Sequence, residues 1–168
     1  MKIEDIDVFF FDFDGVLTNN LVIVDQNENE FVTCSRADGL AFDVLRKLKK
    51  SVYIVSTEKN SVVSARANKL RVPVLQGVKN KVEALISISK REGFISDKIL
   101  FVGNDLNDYY AMQYCGFSAC PSNSHEKIKE ISDIVLESHG GTGVVRELLE
   151  DVLNLDFIEI LYDEQKEM

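Results

Sequence analysis

Proline occurs only twice in the 168 residues and glycine nine times, so the chain has neither a collagen-like composition nor that of a long disordered segment. Basic side chains are the scarcer charge. Nineteen Lys and Arg against 28 Asp and Glu give a net charge of −9, which sets the surface against nucleic acid and anionic membrane. Long apolar runs are missing too: Val8 to Phe11, Leu21 to Val24 and Ile99 to Val102 are about four residues each, against the roughly 20 that a membrane span needs. The first seven residues are rich in acids where a secretory leader would carry bases, so a cytoplasmic location is expected. Cys34, Cys115 and Cys120 are odd in number, form no CxxC pair and have no partner at zinc-ligand spacing; they read as buried thiols in a reducing compartment. What is present, 45% hydrophobic and 28% charged, is the composition of one soluble domain over residues 1–168, too small for separate catalytic and substrate domains.

Short β-branched or aromatic runs alternate with stretches of helical periodicity, which predicts a three-layer α/β/α sandwich around a mainly parallel sheet. The first strand is expected over Asp7 to Asp12 and ends at Asp14-Gly15. Leu21 to Val24 and Glu30 to Cys34 flank a polar turn and predict a hairpin flap over about 20–34. Asp38 is expected to cap a helix that ends in the basic Lys47, Lys49 and Lys50. Further strands are expected at Val52 to Ser56, at Val72 to Leu75 as an edge because of Pro73, at Ile99 to Gly103, Phe117 to Cys120 and Ile134 to Leu136. Helices are expected over Asn60 to Leu70, Lys79 to Glu92, up to Tyr114, near His125 to Ile131, and over Thr142 to Leu153. The tail from about 155 to 168 has the pattern either to dock or to fray. Tyr109 and Tyr110 read as packing residues, His125 and His139 as surface histidines.

Asp12 and Asp14 stand where an unusually apolar strand runs out. Residues two apart project to the same side of an extended segment, and ligands of open α/β sheets bind at the carboxyl ends of the strands. Two carboxylates so close, with no base beside them in sequence, call for a cation between them, and hard oxygen ligands suit Mg2+.

The segment Asp12-Phe13-Asp14-Gly15-Val16-Leu17-Thr18 resembles the first motif of the haloacid dehalogenase superfamily of phosphohydrolases, and the other motifs follow in order: Ser56, Lys81 and Gly103-Asn104-Asp105-Leu106-Asn107-Asp108. The resemblance extends through Gly140-Gly141-Thr142-Gly143 and is closest to a capless branch. That branch holds 3-deoxy-octulosonate 8-phosphate phosphatases, nine-carbon keto-acid (KDN or N-acylneuraminate) 9-phosphate phosphatases and the C-terminal domain of animal acylneuraminate cytidylyltransferases. The resemblance implies a Mg2+-dependent phosphatase in which Asp12 attacks phosphorus and Asp14 is acid and base. Ser56 then binds a phosphoryl oxygen and Lys81 stabilises the transferring charge. Asp12, Asp14 and Asn104 would ligate the metal, with Asp105 and Asp108 nearby. Asn104 departs from the usual aspartate and removes a full negative charge. A catalytically silent oligomerisation module beside a cytidylyltransferase is the alternative it raises.

With no cap domain, the resemblance implies a homotetramer in which the hairpin and a neighbouring subunit close the site. Where octulosonate phosphatases tend to carry Gly-Arg, this chain has Thr57-Glu58-Lys59. Glu58, Arg66 and Lys69 resemble the substrate-selecting residues of the nine-carbon phosphatases, with Arg66 and Lys69 on one helix face, able to pair with a sugar-acid carboxylate. A nine-carbon 9-phosphate is therefore expected ahead of the eight-carbon 8-phosphate.

Overall fold

Three consecutive phenylalanines set the centre of the fold. In β1 (Val8–Phe11), Phe9 and Phe11 enter one apolar cluster while Val8 and Phe10 enter another, and all four are fully buried. A strand buried on both faces needs helices on both. The computed structural model, which describes residues 1–163, has that arrangement. After β1 come the hairpin strands β2 (Ile23–Val24) and β3 (Glu30–Phe31), then β4 (Ser51–Val55), β5 (Val74–Leu75), β6 (Ile99–Val102), β7 (Phe117–Cys120) and β8 (Ile134–Val135). The main sheet is parallel throughout, in the order β5-β4-β1-β6-β7-β8, with β5 at the edge as Pro73 implied.

The helices are α1 (Ala37–Lys47), α2 (Ser61–Leu70), α3 (Lys81–Glu92), α4 (Tyr109–Tyr114), α5 (Glu126–Ile131), α6 (Val144–Glu147) and α7 (Phe157–Tyr162). Residues of α1, α2, α6 and α7 pack with Phe9 and Phe11; residues of α3, α4 and α5 pack with Val8 and Phe10. The chain winds from β1 outward to β5, then returns through α3 to β6 on the other side of β1. That reversal opens a crevice at the carboxyl ends of β4, β1 and β6, the place where ligands of such sheets bind.

Several local expectations are corrected by long-range contacts. Asp38 does not cap α1, whose N-cap is Arg36; its side chain accepts instead from Val145 and Arg146 of α6. The helix expected over Thr142 to Leu153 is present, as α6 starting after Gly143 at φ +114° and continued by a π-helical turn, Leu148–Val152. The hairpin pairs only two residues on each strand, plus an isolated Thr18–Cys34 bridge, and leaves Leu21, Val22, Ile23, Val24 and Phe31 exposed. Tyr110 is 72% exposed rather than packed, and meets Tyr109 edge-on. Cys120 alone is fully buried among the cysteines, although burial still pushes the Cys115 thiol up to about 12.

Where the tail is described, it docks: Asp156 caps α7, Phe157 is buried, and the Arg146 guanidinium lies 4.6 Å from its ring centre. Residues 164–168 lie outside the described part. His125 and His139 are exposed as expected, His125 capping α5 through its ring nitrogen. Among the described residues, no helix is long and apolar enough to cross a membrane.

Phe42 of α1 meets Phe11 edge-on with ring centres 5.4 Å apart and locks the helix onto the central strand. Phe42→Ala is expected to lower stability by about 3–5 kcal/mol, read by urea denaturation with an unchanged m-value.

Candidate active site

The site is built where β1 stops. Asp12 still pairs with β6, its N–H donating to the Val102 carbonyl at 2.9 Å, but the chain then folds into a turn in which Leu17 and Thr18 N–H both donate to the Phe13 carbonyl. Gly15 has φ +83°, and a Cβ there would lie 2.0 Å from the Asn104 side chain, so only glycine allows this turn to approach the loop after β6. Thr18, to which the sequence reading gave no role, is buried under the turn. Its hydroxyl oxygen accepts from Gly15 and Asn20 N–H at 3.1 Å each, and the nearby hydroxyl pulls the Asp14 carboxyl down against its burial.

Asn80 caps α3 by accepting from Val82 N–H, which fixes the first residue of that helix, Lys81, against the sheet. The Lys81 ammonium is buried between two carboxylates, 2.7 Å from Asp12 Oδ1 and 2.5 Å from Asp108 Oδ1. Asp108 Oδ2 in turn accepts from Asn104 N–H at 2.9 Å and Asp105 N–H at 3.3 Å. Three elements distant in sequence are thus tied by one cation. Burial would push the Lys81 ammonium down, but Asp12 and Asp108 outweigh it and raise its pKa. Burial and the Asp108 charge push Asp12 up to about 7 although Lys81 pulls the other way. Asp14, half-buried, is raised by burial and then by the nearby Glu58 charge.

Ser56 is buried at the end of β4, and its hydroxyl oxygen accepts from Glu58 N–H at 3.1 Å. Thr57 is exposed. Glu58 turns back to accept from Lys59 and Asn60 N–H, yet stays near enough to Asp14 to perturb it. Asp105 is exposed and accepts from Leu106 N–H. Arg66 and Lys69 do share a face, but it lines a groove of about 480 Å³ with Arg36, Asp43, Arg46 and Arg71, and Glu58 is not among the lining residues. Within one chain, the expected substrate-selecting trio is therefore not gathered in a single pocket. Arg66 also donates to the Ser35 carbonyl at 2.8 Å.

Among the described residues, no three Asp, Glu, His or Cys side chains form a metal-binding cluster. The candidate donors are of mixed type. One end of the Asn104 amide lies 2.8 Å from the Asp14 main-chain carbonyl oxygen and 3.2 Å from Asp12 Oδ2, both of them acceptors. With its nitrogen there, the amide donates to both; with its oxygen there, three hard oxygens converge. Oxygens about 2.9 Å apart form the edge of an octahedron whose ligands stand about 2.1 Å from the centre, the distance Mg2+ requires. The donor set fits such an ion, with Asp14 offering its carbonyl rather than the carboxylate the sequence suggested. With both acids ionised, Lys81 cancels only one of their charges, and it is burial together with the Asp108 charge that pushes Asp12 up to about 7.

Residues 38–148 match the haloacid dehalogenase-like hydrolase family, more than half of the chain. The chain belongs to that family. A relative within it, the 3-deoxy-D-manno-octulosonate 8-phosphate phosphatase KdsC of Escherichia coli K12, is 28% identical over 153 residues, 90% of this chain and 81% of the relative. The 3-deoxy-D-manno-octulosonate 8-phosphate phosphatase of Moraxella catarrhalis, crystallised with magnesium, phosphate and KDO, superposes with a TM-score of 0.85 at 28% identity, over 89% of this chain and 87% of that one. A structure described as a haloacid dehalogenase family hydrolase from Streptomyces avermitilis gives a TM-score of 0.87 at 37% identity, over 89% and 86% of the two chains.

The raised pKa of Asp12 has a consequence for stability. A carboxyl whose folded value of about 7 exceeds its ordinary 3.8 stabilises the fold while protonated; that contribution is complete below about pH 4 and is lost as pH rises through 7. Metal-free protein is expected to lose stability over this window, and Asp12→Asn to flatten the slope, in thermal unfolding with chelator present.

Proposed function

We propose that this family member is a Mg2+-dependent phosphatase that removes the terminal phosphate from a small 2-keto-3-deoxy sugar acid phosphate. The observation that carries the reading is the buried Asp12–Lys81–Asp108 network beside the half-buried Asp14. It supplies a carboxylate, a fixed positive charge and a second acid whose pKa lies above the ordinary carboxylate value. Asp12, the Asp14 carbonyl and Asn104 would hold Mg2+, which when bound supplies positive charge to the phosphoryl oxygens. Asp12 attacks phosphorus and forms an aspartyl phosphate, while Asp14 gives its proton to the departing sugar oxygen. Asp14, now ionised, then takes a proton from the water that hydrolyses the intermediate. Lys81 offsets the charge on the transferring group, Ser56 donates its hydroxyl to a phosphoryl oxygen, and Asp105 and Asp108 hold the surrounding loop.

The substrate class is supported by the relatives named 3-deoxy-D-manno-octulosonate 8-phosphate phosphatases. Glu58 beside Asp14, in a Thr57-Glu58-Lys59 segment, favours a nine-carbon acid 9-phosphate over the eight-carbon 8-phosphate, since a carboxylate here accepts hydrogen bonds from hydroxyls or an amine. Arg66 and Lys69 would meet the sugar-acid carboxylate from a neighbouring subunit of a homotetramer, which the exposed apolar hairpin residues support. The free keto-acid product suits a cytidylyltransferase as the next enzyme.

Phosphate release from sugar-acid phosphates in Mg2+ tests the activity. Asp12→Asn is expected to lower kcat by about 10⁴-fold or more; retention of activity would assign the turnover to a different mechanism, and no release at any Mg2+ level would favour a silent assembly module. The nine-carbon substrate is expected to have the higher kcat/KM. Asn104→Asp should lower the Mg2+ concentration for half-maximal activity, because it restores a full negative charge among the donors; an unchanged requirement counts against ligation by residue 104.

A further inference from the structure

We propose that Asp38 is a positioning residue for the acid-base carboxylate Asp14, acting through the Gly140–Gly143 loop; the inference rests on the phosphatase reading above. Asp38 is 2% exposed in the first turn of α1, and one oxygen accepts from both Val145 N–H at 2.9 Å and Arg146 N–H at 3.1 Å. Those are the amides at the start of α6 that an N-cap side chain ordinarily serves, and the local N-cap is Gly143, which has none. A residue more than 100 positions earlier in the chain thus supplies the cap.

The loop just before α6 lies backbone to backbone on the turn that carries Asp14. Gly141 N–H donates to the Val16 carbonyl at 2.9 Å. A Cβ on Gly140 would lie 2.1 Å from the Gly15 carbonyl oxygen, and one on Gly141 would lie 2.5 Å from Asn19 N, so the two segments touch with no side chain between them. Asn123 holds the Gly140 N–H from beneath, and Glu147 ties α6 to the preceding segment by accepting from Glu137 and Ser138 N–H. The turn ends in Thr18, whose hydroxyl oxygen accepts from the N–H of Gly15, the residue directly after Asp14. A shift of α6 therefore passes through Gly140 and Gly141 to the Gly15–Asn19 segment and alters the aim of the Asp14 carboxyl.

Capping alone does not explain the choice of residue. A neutral asparagine would offer the same acceptor, whereas Asp38 keeps its second oxygen buried with no hydrogen-bond partner. Burial pushes this carboxyl up to about 6, with the two amides and Arg66 pulling it back. A charged acceptor makes shorter and stiffer bonds to amides than a neutral one, which is what a part held in register with a catalytic turn requires.

The test compares kcat/KM for p-nitrophenyl phosphate, whose leaving group departs without a proton, with kcat/KM for 3-deoxy-octulosonate 8-phosphate, whose alkoxide needs one from Asp14. This parameter reports formation of the aspartyl phosphate, the step in which Asp14 is the acid. Asp38→Ala is expected to lower kcat/KM for the sugar phosphate by about 10–100-fold, a partial loss of the roughly 10²–10⁴-fold that a general acid contributes, with less than about a threefold change for the nitrophenyl ester. Asp38→Asn, which keeps the acceptor but not its charge, should recover part of the loss and stay below wild type. Glu147→Gln, which weakens the tie between α6 and the Glu137–Ser138 segment with Asp38 intact, should give a smaller selective loss of the same kind and stands in if Asp38→Ala does not fold. Equal losses on both substrates, or no loss on either, overturn the role of Asp38 alone. A wild-type protein that turns over neither ester, or whose turnover survives Asp12→Asn, overturns the phosphatase reading and this one with it.

Discussion

The site depends on one buried ammonium. Lys81 reaches from the start of α3 to the end of β1 and to the loop after β6, and meets a carboxylate at each. Removing one member of such a buried pair usually costs about 3–5 kcal/mol, because the partner loses its counter-charge in a dry interior. The network therefore does two things at once. It fixes the relative positions of three segments that share no local sequence, and, with both acids ionised, it leaves an excess of negative charge at the crevice.

That excess gives the rest of the site its logic. Asp12 has one oxygen against Lys81 and the other facing Asn104, so its carboxylate is held at both ends before any substrate arrives. Asp14 is treated differently. Its carbonyl turns toward Asn104 while its carboxyl lies near Thr18 and Glu58, half-exposed and with a raised pKa. Two acids two residues apart come to occupy unlike environments: Asp12 is clamped by Lys81 in the interior, whereas Asp14 is half-buried at the edge of the crevice, where a proton can be exchanged. The turn separates them: had the strand continued through Phe13, both carboxylates would have faced the same way.

Much of this was legible in the chain itself because the signals are local. The Phe9-Phe10-Phe11 run, the alternation of short strands with amphipathic helices, and acids placed at the end of an apolar strand all express themselves over a few residues. The misreadings share the opposite cause. Asp38 sits where a helix cap belongs by sequence, but its acceptor oxygen is taken by amides of α6, and no local pattern encodes that contact. Tyr110 follows a helix start as packing residues do, yet the short α4 turns it to solvent. The role proposed for Glu58, Arg66 and Lys69 is no misreading but depends on a second subunit, since within one chain Glu58 folds back on the N-terminal loop of α2 while the two bases line the groove beside α1. Thr18 was legible only as the last residue of the first motif, and its part in bracing the turn, accepting from Gly15 and Asn20 N–H, shows only in the fold.

Asn104 shows why a neutral residue is tolerable where the resemblance led one to expect an acid. An aspartate there would put a second anionic oxygen against Asp12 Oδ2, beside the neutral Asp14 carbonyl, a stable arrangement only with a cation among them. An amide has a donor and an acceptor on one rotating plane. With its nitrogen toward the turn, it satisfies both acceptors in the metal-free protein at 2.8 and 3.2 Å; rotated by half a turn, it offers an oxygen at the same place. The metal-free fold is thus spared the repulsion that an acid would impose. In exchange, a cation entering the site must displace two hydrogen bonds and finds one charge fewer to hold it. A weaker grip on Mg2+ and a more stable empty site are two faces of the same substitution.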